Sequence, residues 1–235
     1  MNNINESHSK IPEYPINYEL YPLSKNAKFY EIELDAGDYL LIPKYWSHWI
    51  KSDPNTIAFS YLINDLIEMK NLENELINAM FSSEFYKGTL NINFSQNNFI
   101  NDNLSNNFNL LLSETIDVSP VKKNRTFKKR IKNIKLLEIL NLLKLNPHLY
   151  SYIGMNEIDD NNFYRNIFNF CNINNDVILD YRTFVWMNFD KSVDSGLHYD
   201  KYDSILYVVT GKKTVLLSSP YNIKFLYIEP MFMVE

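Results

Sequence analysis

Residues 198–220 read HYDKYDSILYVVTGKKTVLLSSP, and residues 37–52 read GDYLLIPKYWSHWIKS. Each stretch joins an apolar, strand-like run to a Gly turn, and each carries one histidine, His198 or His48. His198 and Asp200 are two residues apart, so on a strand their side chains project from the same face. An imidazole and a carboxylate on one face form half of a divalent-metal site, which one further histidine completes.

The composition narrows the function classes before any motif is used. The chain has 235 residues, of which 46% are hydrophobic and 15% aromatic, enough for a folded core. Its single cysteine, Cys171, excludes a disulfide framework and a cysteine-based zinc site. The formal net charge of -5 argues against a generic nucleic-acid binder.

The N-terminus, MNNINESHSK, is polar and lacks the apolar region of a signal peptide. No apolar run approaches the roughly 20 residues that a membrane span needs. We therefore expect an intracellular protein, cytoplasmic or nuclear, without a membrane partner.

Strand-like patterns occur at both ends of the chain, within residues 28–63 and from Tyr181 through IKFLYI at 223–228. The middle of the chain is predicted to contain helices at 64–80, roughly 126–145 and 160–171, a short strand at 149–154, and an Asn-rich connection with little regular structure at 82–112.

The two opening stretches resemble the Jumonji-C (cupin-like) iron(II)/2-oxoglutarate oxygenases, especially the group containing the asparaginyl hydroxylase of hypoxia-inducible factor. Residues 198–220 match that family's H-x-D, V-x-G-x-K and apolar-x-P-P pattern, with Ser219-Pro220 in the last place. Residues 37–52 match G-D-x-L-x-I-P-x-x-W-x-H-x-V/I-x-S nearly position for position. The resemblance covers under half of the chain. It implies a mainly β fold with flanking α, the double-stranded β-helix (cupin/jelly-roll).

The order of the two half-motifs is reversed relative to the family. A circular permutation, two incomplete domains in tandem, and a swapped dimer are the alternatives, and permutation is favoured because new termini in exposed loops are tolerated. The expected organisation is a tail and lead-in at 1–27 and one domain at 28–235, divided into a C-terminal half-barrel motif at 28–63, a helix and Asn-rich connection at 64–112, and a helix with the N-terminal half-barrel motif at 113–235.

The resemblance also implies roles for individual residues. His198, Asp200 and His48 would ligate Fe(II), with O2 and 2-oxoglutarate as cosubstrates. Lys213, a suitable point charge, would pair with the distal carboxylate of 2-oxoglutarate. The remaining candidates for cosubstrate binding are Ser195 and Tyr150, at positions that contact the same carboxylate, and Ser60, where many members have Asn near the metal.

The implied activity is hydroxylation of a protein side chain by an Fe(II)/2-oxoglutarate-dependent dioxygenase. One alternative is a hydroxylase of RNA bases, for which the basic run Lys122–Lys135 offers a contact surface, although such runs are usually solvated faces. The other is a non-catalytic cupin-like module that binds a partner. The helix expected at 64–80 either covers the barrel or forms a homodimer.

Overall fold

A computed structural model describes eight stretches of the chain: 7–12, 14–63, 85–89, 96–113, 129–146, 150–157, 181–189 and 191–228. The first strands within them are β1 (Ser7–His8), β2 (Tyr30–Asp35), β3 (Asp38–Ile42), β4 (Ser47–Ser52), β5 (Ile57–Ile63), β6 (Tyr86–Thr89) and β7 (Asn107–Ser113). The others are β8 (Lys129–Lys135), β9 (Tyr150–Glu157), β10 (Tyr181–Asn188), β11 (Val193–Asp194), β12 (His198–Tyr199), β13 (Asp203–Thr210) and β14 (Lys212–Ser218). The helices are α1 (Gln96–Asn103) and α2 (Leu136–Leu145), with 3₁₀ turns at Pro22–Asn26 and Pro220–Phe225.

Strands from the two ends of the chain alternate within two antiparallel sheets. One sheet has the order β1-β12-β4-β14-β2, with β11 also paired to β4. The other has the order β6-β3-β13-β5-β10-β9-β7-β8. This arrangement confirms the expected mainly β, cupin/jelly-roll fold, and it brings the two half-motifs together although they are distant in sequence.

Three apolar clusters hold the layers together. Between the sheets lies a cluster that includes Leu40, Trp46 and Val215. The far side of the larger sheet is covered by α2, which contributes Leu136, Ile139 and Leu143. The far side of the smaller sheet is covered by the N-terminal lead-in and the chain near 226–228, in a cluster that includes Ile11, Ile16, Trp49, Leu197, Leu216 and Leu226.

The helix expected at roughly 126–145 begins ten residues later. Residues 129–135 form β8, which pairs with β7 through an irregular register. Asn133 has a φ of 55°, a left-handed conformation that Asn tolerates better than most residues. This kink lets Ile131 and Ile134, three residues apart, both pack against the core as residues of a strand. Apolar residues three apart are also typical of a helix face, which is why the sequence predicted a helix here.

Two further expectations are corrected. Residues 82–112, expected to hold little regular structure, contain β6, α1 and most of β7. The stretch at 223–228 is no strand, because Pro220 starts a 3₁₀ turn that runs to Phe225. The strand expected at 149–154 is confirmed as β9. The helices expected at 64–80 and 160–171 lie outside the described residues. Among the described helices, none has the length and apolar character to cross a membrane.

Candidate metal centre

Three side chains converge where β12 meets β4. His198 and His48 are direct cross-strand partners, so both rings project from the same face of the sheet. Asp200 follows two residues after His198, and its Oδ2 lies 3.5 Å from His48 Nε2. One ligand atom from each of the three side chains lies within 4.8 Å of the other two. This spacing allows all three to reach a single metal ion.

Backbone hydrogen bonds orient both rings. His48 Nδ1 lies 3.0 Å from the carbonyl oxygen of Trp46, and His198 Nδ1 lies 3.0 Å from that of Gly196. A carbonyl can only accept, so each Nδ1 carries the proton and donates. The lone pair is therefore on Nε2 of each ring, the nitrogen that is left to bind a metal.

Burial shifts the pKa values of all three side chains in the metal-binding group. It lowers the pKa of both His48 and His198 to about 4, with the neighbouring histidines adding to the effect. Both imidazoles are therefore neutral near pH 7, the form that ligates metals. Burial also raises the pKa of Asp200, an effect that a bound cation opposes.

A buried lysine lies in the same sheet, on the strand β14 that pairs with the other side of β4. Lys213 of β14 is 2% exposed and is the cross-strand partner of Ser52 of β4. Its Nζ donates to Ser52 Oγ at 2.5 Å, and the Ser52 and Tyr152 hydroxyls share a hydrogen bond. In the described part of the chain no carboxylate pairs with Lys213, and burial lowers its pKa to about 7. An unpaired buried cation is costly, which makes it a candidate functional group.

One cavity of about 70 Å³ connects the metal-binding group with Lys213. At about 10–15 Å³ for one water, it accommodates roughly five water molecules or a small organic ligand. Its polar wall includes Tyr152, Ser60 and Ser195. Its apolar wall is formed by Ile42, Ile50, Leu62, Phe184, Trp186 and Leu206. The cavity thus combines these apolar side chains with the metal-binding group and Lys213.

Three further residues were predicted from the sequence to bind the cosubstrate: Ser195, Ser60 and Tyr150. Ser195 lines the cavity, but its Oγ accepts from Ile50 N at 3.0 Å and donates to the Gly196 carbonyl at 3.0 Å, bonds that anchor the loop before His198. Ser60 also lines the cavity, and its Oγ accepts from Trp186 Nε1 at 2.9 Å. Tyr150 is the first residue of β9.

Sequence reasoning did not single out Ser52, Tyr152 or Trp186. Ser52 was already present as the last residue of the stretch 37–52, so the motif itself contained the signal. Tyr152 follows Tyr150 by two residues, and both share a face of any strand, so alternation could not choose between them. Trp186 matched the apolar pattern of a strand, and nothing in the sequence indicated that its Nε1 donates a hydrogen bond to Ser60 Oγ.

The comparisons with known proteins agree with this architecture. The cupin-like domain family matches residues 83–233. The JmjC domain-containing protein L887 of Acanthamoeba polyphaga mimivirus is 30% identical over 236 residues, which cover 91% of this chain. The aligned region spans only 38% of that relative's length. No solved structure matches the chain at a significant level. The family match covers well over half of the chain, which therefore belongs to the cupin-like domain family.

Proposed function

We propose that the chain is an Fe(II)/2-oxoglutarate-dependent dioxygenase that hydroxylates a protein side chain. One observation carries the proposal: a single cavity has His48, His198 and Asp200 at one point and the buried Lys213 at another. A metal site alone would explain the three ligands. Only a ligand that also carries an anionic group gives the buried ammonium a function.

The donor set fits iron(II). Two neutral imidazoles and one carboxylate on one face form a facial triad, which leaves coordination positions for cosubstrate and dioxygen. Iron(II) held by these residues, with 2-oxoglutarate and dioxygen, supplies the oxidising power that hydroxylates a C–H bond. The chain's own part is to fix both rings through the carbonyls of Trp46 and Gly196.

The opposite end of the cavity fits the distal carboxylate of 2-oxoglutarate. His48 and Ser52 are four residues apart on β4, a rise of about 13 Å along the strand. The ammonium of Lys213 lies at the Ser52 end of this distance, and the cavity extends from it to the metal-binding group. This ammonium and the hydroxyls of Ser52 and Tyr152 would bind the carboxylate, with Tyr152 in the role expected of Tyr150. Apolar walls around the ligand would exclude bulk water and strengthen the ion pair.

The class of substrate rests on the family resemblance. For the alternative of RNA, residues 129–135 of the basic run lie in β8, and the rest of Lys122–Lys135 lies outside the described residues. The pairing of β8 with β7 does not by itself indicate a contact with RNA. A protein side chain remains the proposed substrate, and RNA binding and a homodimer remain predictions.

We also propose that the reversed motif order is a circular permutation completed within one chain. The support is the in-register pairing of β12 with β4 and of β14 with both β4 and β2. Tandem incomplete domains and a swapped dimer are the competing explanations, and the mixing experiment in the Discussion separates assembly within a chain from assembly across chains.

The function is tested by anaerobic titration with iron(II), with and without 2-oxoglutarate, while the visible charge-transfer band of the ternary complex is monitored. We expect the band in the wild type and its loss in His48→Ala, His198→Ala and Asp200→Ala. Lys213→Met should bind the metal normally, and its affinity for 2-oxoglutarate should be at least tenfold weaker. Lys212→Met is the matched control, because Lys212 faces solvent and pairs with Glu33 and Asp35.

Two results would contradict the proposal. A folded wild type without the band would favour the non-catalytic binding module. A band that is equally strong in Lys213→Met and Lys212→Met would mean that Lys213 does not bind the cosubstrate. If the band is present, the substrate class is tested by mass spectrometry. The expected product is a protein, rather than an RNA, that has gained one oxygen atom.

A further inference from the structure

A third histidine continues the row formed by the two candidate ligands. His8 of β1 is the cross-strand partner of His198 of β12, which is in turn the partner of His48 of β4. Directly opposed residues of antiparallel strands share a face. His8 therefore lies on the same face as His48 and His198, at the exposed edge of the sheet, and no role described above uses it.

His8 contacts His198 and is not part of the metal-binding group. The two rings stack with centroids 5.3 Å apart and planes 15° from parallel. The group whose ligand atoms lie within 4.8 Å of one another consists of His48, His198 and Asp200. A stack covers the ring face of His198 and leaves its in-plane nitrogens free, Nδ1 for the Gly196 carbonyl and Nε2 for a metal.

Contacts beyond the centre hold β1 in position. Ser9 N donates to the Leu197 carbonyl at 2.8 Å, and Lys10 N donates to the Tyr227 carbonyl at 3.0 Å. Ile11, 3% exposed, packs with Leu197 in the cluster behind the smaller sheet. The position of His8 is therefore set by the backbone and by this cluster, without help from a metal.

The strand that carries His198 depends on such support. β12 has only two residues, and its pairing with β4 consists of His198–His48 and Tyr199–Ser47. β1 is its neighbour on the other side. Rotation about χ2 of a histidine is broad, so the hydrogen bond at Nδ1 and the edge-on contact with the His48 ring, 4.3 Å between centroids, restrain the ring only partly. A flat ring against its face restrains the plane directly.

We infer that His8 is a positioning residue of the candidate metal centre: its ring, stacked on His198, fixes the plane in which His198 offers Nε2 to the metal. The inference rests on the proposed function. Outer partners that orient metal ligands commonly affect metal affinity by about 10–100-fold, which sets the size of the expected effect.

The test compares cobalt(II) affinity and the cobalt(II) d–d spectrum in the wild type, His8→Ala, His8→Phe and Lys10→Ala. We expect His8→Ala to weaken cobalt(II) binding by about tenfold and to alter the spectrum. His8→Phe should restore both, because a phenyl ring keeps the stack without offering a nitrogen. Lys10→Ala, an exposed change in the same segment, should behave as the wild type.

A metal-free readout accompanies the titration. In the apo protein, the part of the ring-current shift of the His198 Hε1 proton in NMR spectra that comes from the stacked ring should be lost in His8→Ala and kept in His8→Phe. Wild-type cobalt(II) affinity in His8→Ala would overturn the inference, and so would a His8→Phe variant as weak as His8→Ala, because a nitrogen rather than the ring face would then act. A wild type that binds no cobalt(II) would instead contradict the proposed function, and the inference with it.

Discussion

At the scale of single residues, the burial of Lys213 lowers the stability of the protein, while the proposed function requires this buried ammonium. Its ammonium is buried with hydroxyl and aromatic neighbours and, among the described residues, no carboxylate partner. The folded protein therefore holds the proton less tightly than the unfolded chain, since burial lowers the pKa from 10.5 to about 7. Between these two values the unfolded state binds more protons, so stability rises with pH.

Replacing Lys213 with Met should therefore stabilise the metal-free protein. Near pH 7 we expect a gain of about 1–4 kcal/mol in the free energy of unfolding, as for other buried charges replaced by apolar residues. The gain should shrink as the pH rises toward 10. At that pH the unfolded chain has also begun to lose the Lys213 proton, so folding of the wild type no longer carries most of the cost of removing it. Urea unfolding at pH 7 and pH 9.5 measures both values. A destabilised variant at pH 7 would contradict the description of Lys213 as an unpaired buried cation.

We expect the same ionisation to control binding of the proposed cosubstrate. A dicarboxylate favours the charged form of Lys213, so binding is coupled to proton uptake wherever the free protein has lost that proton. Above pH 7 we expect the affinity for N-oxalylglycine, a stable analogue of 2-oxoglutarate, to fall by up to about tenfold per pH unit. Calorimetry of the metal-loaded protein should also detect proton uptake on binding. An affinity independent of pH between 7 and 9, with no proton uptake, would contradict this prediction.

At the scale of elements, the β13–β14 turn is determined by one glycine. Gly211 has a φ of +77°, and a Cβ there would collide with Thr56 Oγ1 and lie 2.8 Å from Thr56 Cα. Gly196 has nearly the same φ, +76°, but a Cβ there would meet nothing within 4 Å. Comparing substitutions at the two positions therefore separates the cost of backbone strain from the cost of a steric clash.

We predict that Gly211→Ala lowers the free energy of unfolding by about 2–4 kcal/mol, since strain and a backbone clash both act. Gly196→Ala should cost only about 1–2 kcal/mol, for strain alone. Chemical denaturation of both variants at one pH gives the comparison. Equal costs would show that Thr56 moves aside freely and that the close approach of the turn to Thr56 is not what requires a glycine.

The sequence was most informative for elements whose pattern is regular. The segments at 37–52 and 198–220 alternate or run apolar over whole strands, so β3, β4, β13 and β14 were all expected. Where a bulge disturbs the period, as at Asn133, three-residue spacing in a strand resembles a helix. The difference between β8 and α2 could not be predicted, because it depends on pairing with β7, which the sequence does not display.

At the scale of the whole molecule, the site depends on segments about 150 residues apart. His48 and His198 become neighbours only because strands from both ends of the chain alternate in each sheet. The residues themselves indicated half-sites, and the family resemblance indicated that the halves belong together. No local pattern could indicate whether they meet within one chain, since that depends on long-range strand pairing.

A mixing experiment tests assembly within one chain. We expect His48→Ala and His198→Ala, refolded together, to give no charge-transfer band with iron(II) and 2-oxoglutarate, because each chain lacks one ligand of its own site. In a swapped dimer, mixed pairs would contain one site with both histidines intact. Recovery of a substantial part of the wild-type band, with a dimer detected by light scattering, would therefore show that the two half-motifs meet across chains.

The most direct test of the central claim is a crystal structure of the wild-type protein with manganese(II) and N-oxalylglycine. We expect one anomalous manganese peak per chain, bound by His48, His198 and Asp200 of that same chain. The analogue should chelate the metal and extend its distal carboxylate to Lys213. A metal bound elsewhere, a ligand contributed by a second chain, or an analogue directed away from Lys213 would contradict the account.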